Sequence, residues 1–293
     1  MTRVIHALRR SQRFAVENMN AWRLYLAAKA DPHYHFTPTD CWLYIQERQW
    51  QTPPLTVLED APFQLLQIEQ HRLFWPRALD SGGLSWLYCE TMMPFEHNPS
   101  SYNHPAMALG NANWVLDLGA CEGFFSLLAA ELGARHIYAV EPVKALSDGL
   151  RRTVSIQKTP EKFTLMAAAV ASQEGEQRLN TQTAEVWNST LASGGDVVHV
   201  TTLDALAQTY DLGGNGVIKM DIEGAEMDAL TGGKLLLARH KPRLAIAVYH
   251  AYDNARLCRD IIQSANPDYQ VQFRGMYGWA VPERPRPYLL FAW

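Results

Sequence analysis

The chain has little cysteine. Its four residues of that type, Cys41, Cys89, Cys121 and Cys258, stand far apart and without C-x-x-C spacing. That excludes a disulfide framework and fits a reduced, cytoplasmic setting. No apolar run approaches the roughly 20 residues that a membrane helix needs. Neither sign of charge dominates, since 26 Lys and Arg against 30 Asp and Glu leave a net charge of −4. A dedicated nucleic-acid or membrane surface would need a basic excess, so neither is an expected partner. Internal repeats and low-complexity tracts are also missing. What is there is ordinary globular composition, 47% hydrophobic and 19% charged in 293 residues. That length suits one large α/β domain with an extension, or two small domains.

The first 16 residues hold Arg3, Arg9, Arg10 and Arg13 and no acid. A transit peptide has that character, but the apolar stripe Val4, Leu8, Ala15, Met19, Trp22, Leu26 runs well past one. The periodicity predicts a structural amphipathic helix ending at Asp31-Pro32. Composition then shifts near residue 110. Residues 1–110 carry five of the nine tryptophans, at 22, 42, 50, 75 and 86. Pro53-Pro54, Pro62, Pro76 and Gly82-Gly83 break them into short segments. We therefore expect two parts: residues 1–110 as a cap over the substrate side or a dimer interface, and 111–293 as a cofactor-binding domain. The polar stretch 96–104 reads as the loop between them.

From 114 onward apolar strands and helices alternate. Strands are predicted at 114–118, 136–141, 163–170, 197–201, 216–221, 244–249, 269–274 and 287–292. Helices are predicted at about 123–133, 143–157, 203–209, 224–238 and 253–264. Such alternation implies a mostly parallel sheet with both faces covered. The last two strands have no helix between them, which implies an antiparallel pair at the sheet edge.

Within this pattern, WVLDLGACEG (114–123) is the most informative segment. A strand ends at Asp117 and runs into a turn with Gly119 and Gly123, then into a helix. A second strand ends at Glu141, 24 residues after Asp117. This βαβ arrangement suits an adenosine-containing cofactor, with Glu141 placed to accept both ribose hydroxyls. A dinucleotide site would want G-x-G-x-x-G, and no glycine stands at 121. Asp117 would repel a pyrophosphate but suit the methionine ammonium of S-adenosylmethionine. We therefore expect S-adenosylmethionine, held by Asp117, Gly119, Ala120, Cys121, Gly123, Glu141, Pro142, Ala169 and Asp221. An NAD-dependent oxidoreductase and a catalytically silent binding module are the alternatives.

Two further segments carry chemistry. In GVIKMDIEGAE (216–226) a buried strand ends at Asp221, and Glu223 and Glu226 open the next helix, where acids also favour the helix dipole. In a parallel sheet, ligands bind outside the carboxyl ends of strands. Asp221 and Glu223 should thus share an edge with Asp117 and Glu141. The strand LAIAVYH ends in Tyr249-His250 beside Asp221. His250 is the candidate proton acceptor, since its ordinary pKa of about 6.5 lies near working pH. Asp221 would orient substrate or cofactor, with Glu223, Glu226 and Tyr249 as substrate contacts. Asp221, Glu223, Glu226 and His250 could instead share a Mg²⁺-like ion, although the favoured arrangement has no metal. His33 and His35 lack a third ligand. Asn98-Pro-Ser-Ser-Tyr102 only faintly matches an N-P-P-Y box.

Region 114–292 resembles the FkbM-type S-adenosylmethionine-dependent methyltransferases. The family loop D-x-G-A-N-x-G-x-x-S is matched from Asp117 to Ser126, with Cys121 where Asn is common. An acid-proline pair is matched by Glu141-Pro142, and K-x-D-x-E-G-x-E by Lys219 to Glu226. A KP-x-L-x-I-x-x-YH stretch is matched by Lys241 to His250, and Asn266 to Tyr269 followed by an apolar strand fits as well. The resemblance implies a class I methyltransferase fold, α/β and Rossmann-like, with seven strands. It also implies O-methylation of a small-molecule hydroxyl, of sugar or polyketide type. A homodimer is a possible assembly.

Overall fold

The computed structural model describes residues 15–16, 18–29, 31–179, 195–278 and 284–293. The N-terminal part starts with a helix over residues 18–28 (α1) and a second helix, Pro38–Glu47 (α2). Local sequence sets the start of α2. Thr37 accepts the Asp40 N–H at 3.2 Å, and the Asp40 carboxylate accepts the Thr37 N–H at 2.8 Å. Pro38 sits where no backbone donor is needed. An antiparallel meander follows, Leu55–Glu59 (β1), Phe63–Ile68 (β2) and His71–Pro76 (β3), and then helix Leu84–Met92 (α3).

The apolar stripe expected to bury in the first helix faces outward. Met19, Trp22 and Leu26 are 54%, 46% and 62% exposed. Ala21, Leu24 and Tyr25 pack instead with Cys41, Tyr44, Ile45 and Met276. Two apolar stripes fit a 3.6-residue period here. The inward one carries alanine, which brings the helix close enough for Cys41 Sγ to lie 3.6 Å from the Ala21 carbonyl. Val4, Leu8 and the arginine-rich start lie outside the described residues.

From residue 114 the elements are Trp114–Leu118 (β4), Phe124–Leu132 (α4), Ile137–Val140 (β5), Lys144–Ser155 (α5), Phe163–Met166 (β6), Ala169–Val170 (β7), Gly175–Leu179 (β8), Asp196–Thr201 (β9), Leu203–Thr209 (α6), Gly216–Met220 (β10), Glu226–Thr231 (α7), Lys234–His240 (α8), Arg243–Ala247 (β11), Asn254–Ala265 (α9), Val271–Arg274 (β12) and Leu289–Ala292 (β13). Seven strands form one sheet in the order β12-β13-β11-β10-β4-β5-β6. Every residue of β4 and β10 is buried, as expected of central parallel strands covered on both faces. One face packs Leu116, Ile218 and Ile246 in the larger core cluster, and the other packs Val115, Val217 and Ala245. The antiparallel pair at the sheet edge is present, and β13 is its reversed strand, running between β11 and β12.

Three predicted elements differ. The segment 163–170 is two strands, because the chain leaves the main sheet after Met166. Its second piece, β7, pairs with β9, which pairs with β8 in a separate three-stranded sheet. The strand at 197–201 therefore does not join the main sheet. The helix expected at 224–238 divides at Gly232-Gly233. There a Cβ on Gly232 would meet the Ala171 carbonyl at 2.3 Å, and one on Gly233 would meet the Leu203 side chain at 2.7 Å.

The N-terminal part shares a core with the α/β part. Leu66, Leu73, Trp75, Leu84 and Tyr88 are buried with Phe124, Val143 and Leu146. Glu47, fully buried, accepts the Tyr288 hydroxyl at 2.9 Å. Among the described residues, no helix is long and apolar enough to cross a membrane.

Candidate active site

The strands β4 and β10 are neighbours, and from them the chain proceeds outward in opposite directions, to β5 and to β11. Loops at their carboxyl ends diverge and leave a crevice. A cavity of about 350 Å³ opens there, lined by the loop after β4, the end of β5, the turn after β10 and residues Leu87, Glu90 and Thr91 of α3.

Register explains the floor of this cavity. Asp117 of β4 and Lys219 of β10 are direct partners on adjacent parallel strands, so their side chains share a face. Lys219 Nζ lies 3.0 Å from Asp117 Oδ1, and both residues are buried. The ammonium also donates to the Gly119 carbonyl at 2.7 Å and the Leu118 carbonyl at 3.3 Å. Ser126 Oγ donates to Asp117 Oδ2 at 2.7 Å. Burial would lower the Lys219 pKa, but Asp117 and Asp221 raise it overall, so it stays an ammonium. Asp117 is 0% exposed and does not line the cavity. Its carboxylate is already held by a lysine and a serine. The sequence reading put it at the cofactor ammonium; in the structure it lies beneath the loop.

The loop itself is shaped by left-handed backbone. Gly119 has φ +72°, Cys121 +46° and Gly123 +90°. Asn tolerates this region better than most residues, which gives a physical reason for asparagine at position 121 in the resembling family loop. Gly119 is required by the protein's own chain, because a Cβ there would lie 1.9 Å from the Asp221 carbonyl oxygen. Glu141 is 4% exposed and lines the cavity. Its Oε2 accepts the Cys121 N–H at 2.9 Å and its Oε1 the Val143 N–H at 2.8 Å. Each oxygen keeps a lone pair for a further donor. Burial raises this carboxyl to about 7 against the pull of those two N–H groups. Ala120, Cys121, Pro142 and Ala169 line the same cavity. Gly123 does not, and it serves as the left-handed cap of α4.

The second segment forms a tight turn, with Glu223 at φ +56° and Gly224 at +96°. Glu226 is 0% exposed. Its Oε1 accepts the Ile222 and Gly224 N–H groups, each at 3.2 Å, and lies 3.3 Å from His250 Nδ1. Glu226, expected from sequence as a substrate contact, is a buried brace of this turn and does not line the cavity. Asp221, Glu223 and Tyr249 do line the cavity, whereas His250 sits behind them. His250 Nε2 lies 3.3 Å from Glu223 Oε2 and 3.6 Å from Asp221 Oδ1. Burial alone would lower the His250 pKa, but Glu223, Asp221 and Glu226 together raise it to about 9. His250 thus stands among three acidic side chains that favour its protonated form.

The FkbM methyltransferase domain matches residues 117–271, just over half of the chain. The protein belongs to the FkbM methyltransferase family. No curated protein matches the chain. Solved structures similar to this FkbM-family chain include methyltransferase FkbM from Methylobacillus flagellatus KT, at 23% identity and TM-score 0.46, covering 62% of this chain and 44% of that one. A tRNA methyltransferase from M. jannaschii has 14% identity and TM-score 0.42, covering 80% and 54%. An SAM-dependent O-methyltransferase from Thermotoga maritima has 13% identity and TM-score 0.35, covering 64% and 61%. The chain spans about half the length of the first two.

The FkbM-family site also contains residues to which the sequence reading gave no role. Tyr102, from the polar linker, donates its hydroxyl to Asp221 Oδ2 at 2.9 Å and lines the cavity. Asn98 holds that linker by donating to the Cys89 and Glu90 carbonyls at 3.2 and 2.9 Å and accepting from Ser100, a structural use of the Asn-Pro segment. Glu90 of α3 faces the cavity, and burial together with Glu47, Asp221 and Glu122 pushes its carboxyl to about 8, against a Trp86 hydrogen bond. Lys219 was legible as part of its motif, but nothing in the sequence marked Glu90. Ligand atoms of Asp221, Glu223 and His250 lie within 4.8 Å of one another, the one set among the described residues with spacing for a metal ion.

Proposed function

We propose that this FkbM-family protein is an S-adenosylmethionine-dependent enzyme that methylates a hydroxyl of a small molecule. The observation that carries the cofactor assignment is Glu141. Its carboxylate sits at the end of β5, inside the cavity and beside a left-handed loop, with a lone pair free on each oxygen. Vicinal ribose hydroxyls offer the two donors it still lacks. Ala120, Cys121 and Pro142 would flank the cofactor, and Ala169 the base side. When bound, the cofactor supplies a methyl group already activated on a sulfonium, so the protein mainly orients two reactants and removes one proton.

Asp221 is the proton acceptor in this proposal. It lines the cavity, Tyr102 fixes one of its oxygens, and His250 sets the other. His250 is a positioning residue, being already protonated at neutral pH. Glu223 and Tyr249 are the substrate contacts. Residues 1–110 act as the cap, since α3 closes the cavity. The exposed stripe Met19, Trp22 and Leu26 is the surface on which a second copy would pack.

Calorimetry with S-adenosylmethionine, S-adenosylhomocysteine and NAD tests the cofactor. The first two should bind and NAD should not. Glu141→Ala should weaken S-adenosylhomocysteine by about 1.5–3 kcal/mol, the loss typical of charge-assisted hydrogen bonds. Tight NAD binding, or unchanged affinity in a folded Glu141→Ala protein, would sink the assignment.

A further inference from the structure

The cavity lining is rich in acids and poor in cations. Six acidic side chains line it, Glu90, Glu122, Glu141, Asp221, Glu223 and Asp228, against one cationic side chain, Lys219. Lys219 is committed to Asp117 and two loop carbonyls. His250, behind the wall, is shared among Asp221, Glu223 and Glu226. Glu141 is met by two backbone N–H groups. Asp228 is exposed at the rim, where water screens it. S-adenosylmethionine carries a net charge of plus one and offsets one of the rest. Glu90, Glu122 and part of the Asp221–Glu223 pair remain without a cationic partner of their own, and burial holds the Glu90, Glu122 and Glu223 carboxyls above their ordinary range, so that protons stand where a cation is missing.

We propose that the substrate is an ammonium-bearing alcohol, its cationic group received by Glu90 together with Asp221 and Glu223, beside the tyrosine wall of the cavity. This rests on the cofactor assignment above and adds the class of the acceptor. Glu90 belongs to α3, while Asp221 and Glu223 belong to the turn after β10, so carboxylates from two sides of the crevice converge. Tyr102, Tyr249 and Tyr288 line the same space. The rings of Tyr249 and Tyr288 are 5.6 Å apart, and each packs on Tyr277, at 4.9 and 5.1 Å. Aromatic rings beside carboxylates attract an ammonium through the ring quadrupole and offer it little else. An anionic substrate would face repulsion from the same groups. The high Glu90 carboxyl agrees, since an added cation is what would let it ionise at neutral pH.

The test uses the full chain saturated with S-adenosylhomocysteine and three probes that share one ring: cyclohexylammonium, cyclohexanol and cyclohexanecarboxylate. Calorimetry should show cyclohexylammonium binding on the order of tenfold or more tighter than cyclohexanol, with the carboxylate weakest. Glu90→Gln, close in shape, should cut the ammonium-to-alcohol ratio several-fold. Equal affinities, no detectable binding of any probe, or preference for the carboxylate overturns the proposal even if Glu90→Gln does not fold. Failure to bind S-adenosylhomocysteine in the first step overturns the cofactor assignment instead, so the two failures are distinct.

Discussion

A Cβ on Gly119 would lie 1.9 Å from the carbonyl oxygen of Asp221. The two motifs that carry the chemistry are thus locked together at backbone level, one at the end of β4 and one at the end of β10. Gly119→Ala would add that clash to a left-handed φ of +72°, and both must be relieved by moving a loop. We expect a loss of roughly 2–4 kcal/mol in stability and at least a tenfold loss in S-adenosylhomocysteine affinity. Denaturant titration and calorimetry would check the pair. A variant with normal stability and normal binding would show that the loops are not coupled.

The ion pair beneath the loop gives a second prediction. Lys219→Met leaves the Asp117 carboxylate buried with only Ser126 as partner. Breaking one side of a buried pair typically costs about 3–5 kcal/mol. The double variant Lys219→Met/Asp117→Leu removes both charges and should recover most of that stability. It should not recover cofactor binding, because the Gly119 and Leu118 carbonyls lose their donor. If the single and double variants are equally unstable, the pair is not the source of the loss.

Much of this was legible in the sequence because strand ends and turn glycines are local signals. Asp117, Gly119, Glu141 and Asp221 could be placed at one sheet edge from alternation alone. Roles that depend on depth were not legible. Sequence spacing puts Asp117 and Glu226 at the ligand edge, but it does not say that Lys219 and His250 cover them. The β7-β9-β8 sheet was missed because Glu176 and Arg178 on an exposed strand hide its alternation. Glu90 was invisible because α3 reaches the cavity through tertiary packing.

The N-terminal part gives a third prediction. Deleting residues 1–105 removes Leu66, Leu73, Trp75 and Leu84 from the core they share with Phe124 and Leu146. It also removes the wall formed by Leu87, Glu90 and Thr91. The truncated chain should aggregate and fail to bind S-adenosylhomocysteine. A subtler probe is Trp75→Ala in the full chain, where a cavity in place of a buried indole should cost about 3–5 kcal/mol. A soluble, fully binding truncation would show that the segment is an appendage.

The last prediction concerns pH. His250 is raised from its ordinary 6.5 to about 9 by its carboxylate neighbours. A base raised on folding stabilises the fold fully below its unfolded pKa, and that contribution drains away as pH climbs from about 6.5 to about 9. Glu90 and Glu141, held at about 8 and about 7 by burial, act in the same direction from lower pH. Each keeps its proton in the fold above the 4.5 at which the unfolded chain releases it, so stability falls as pH rises toward those values. The metal-free protein, in the presence of a chelator, should therefore melt at progressively lower temperature from pH 5 to pH 9. His250→Gln should flatten the upper part of that decline and leave the lower part. In turnover assays the variant should be slower yet keep the wild-type acid limb, as befits a residue that positions Asp221. A melting temperature that is flat or rising over this range would show that these groups are not shifted as their surroundings require. Loss of the acid limb in His250→Gln would return the base role to the histidine.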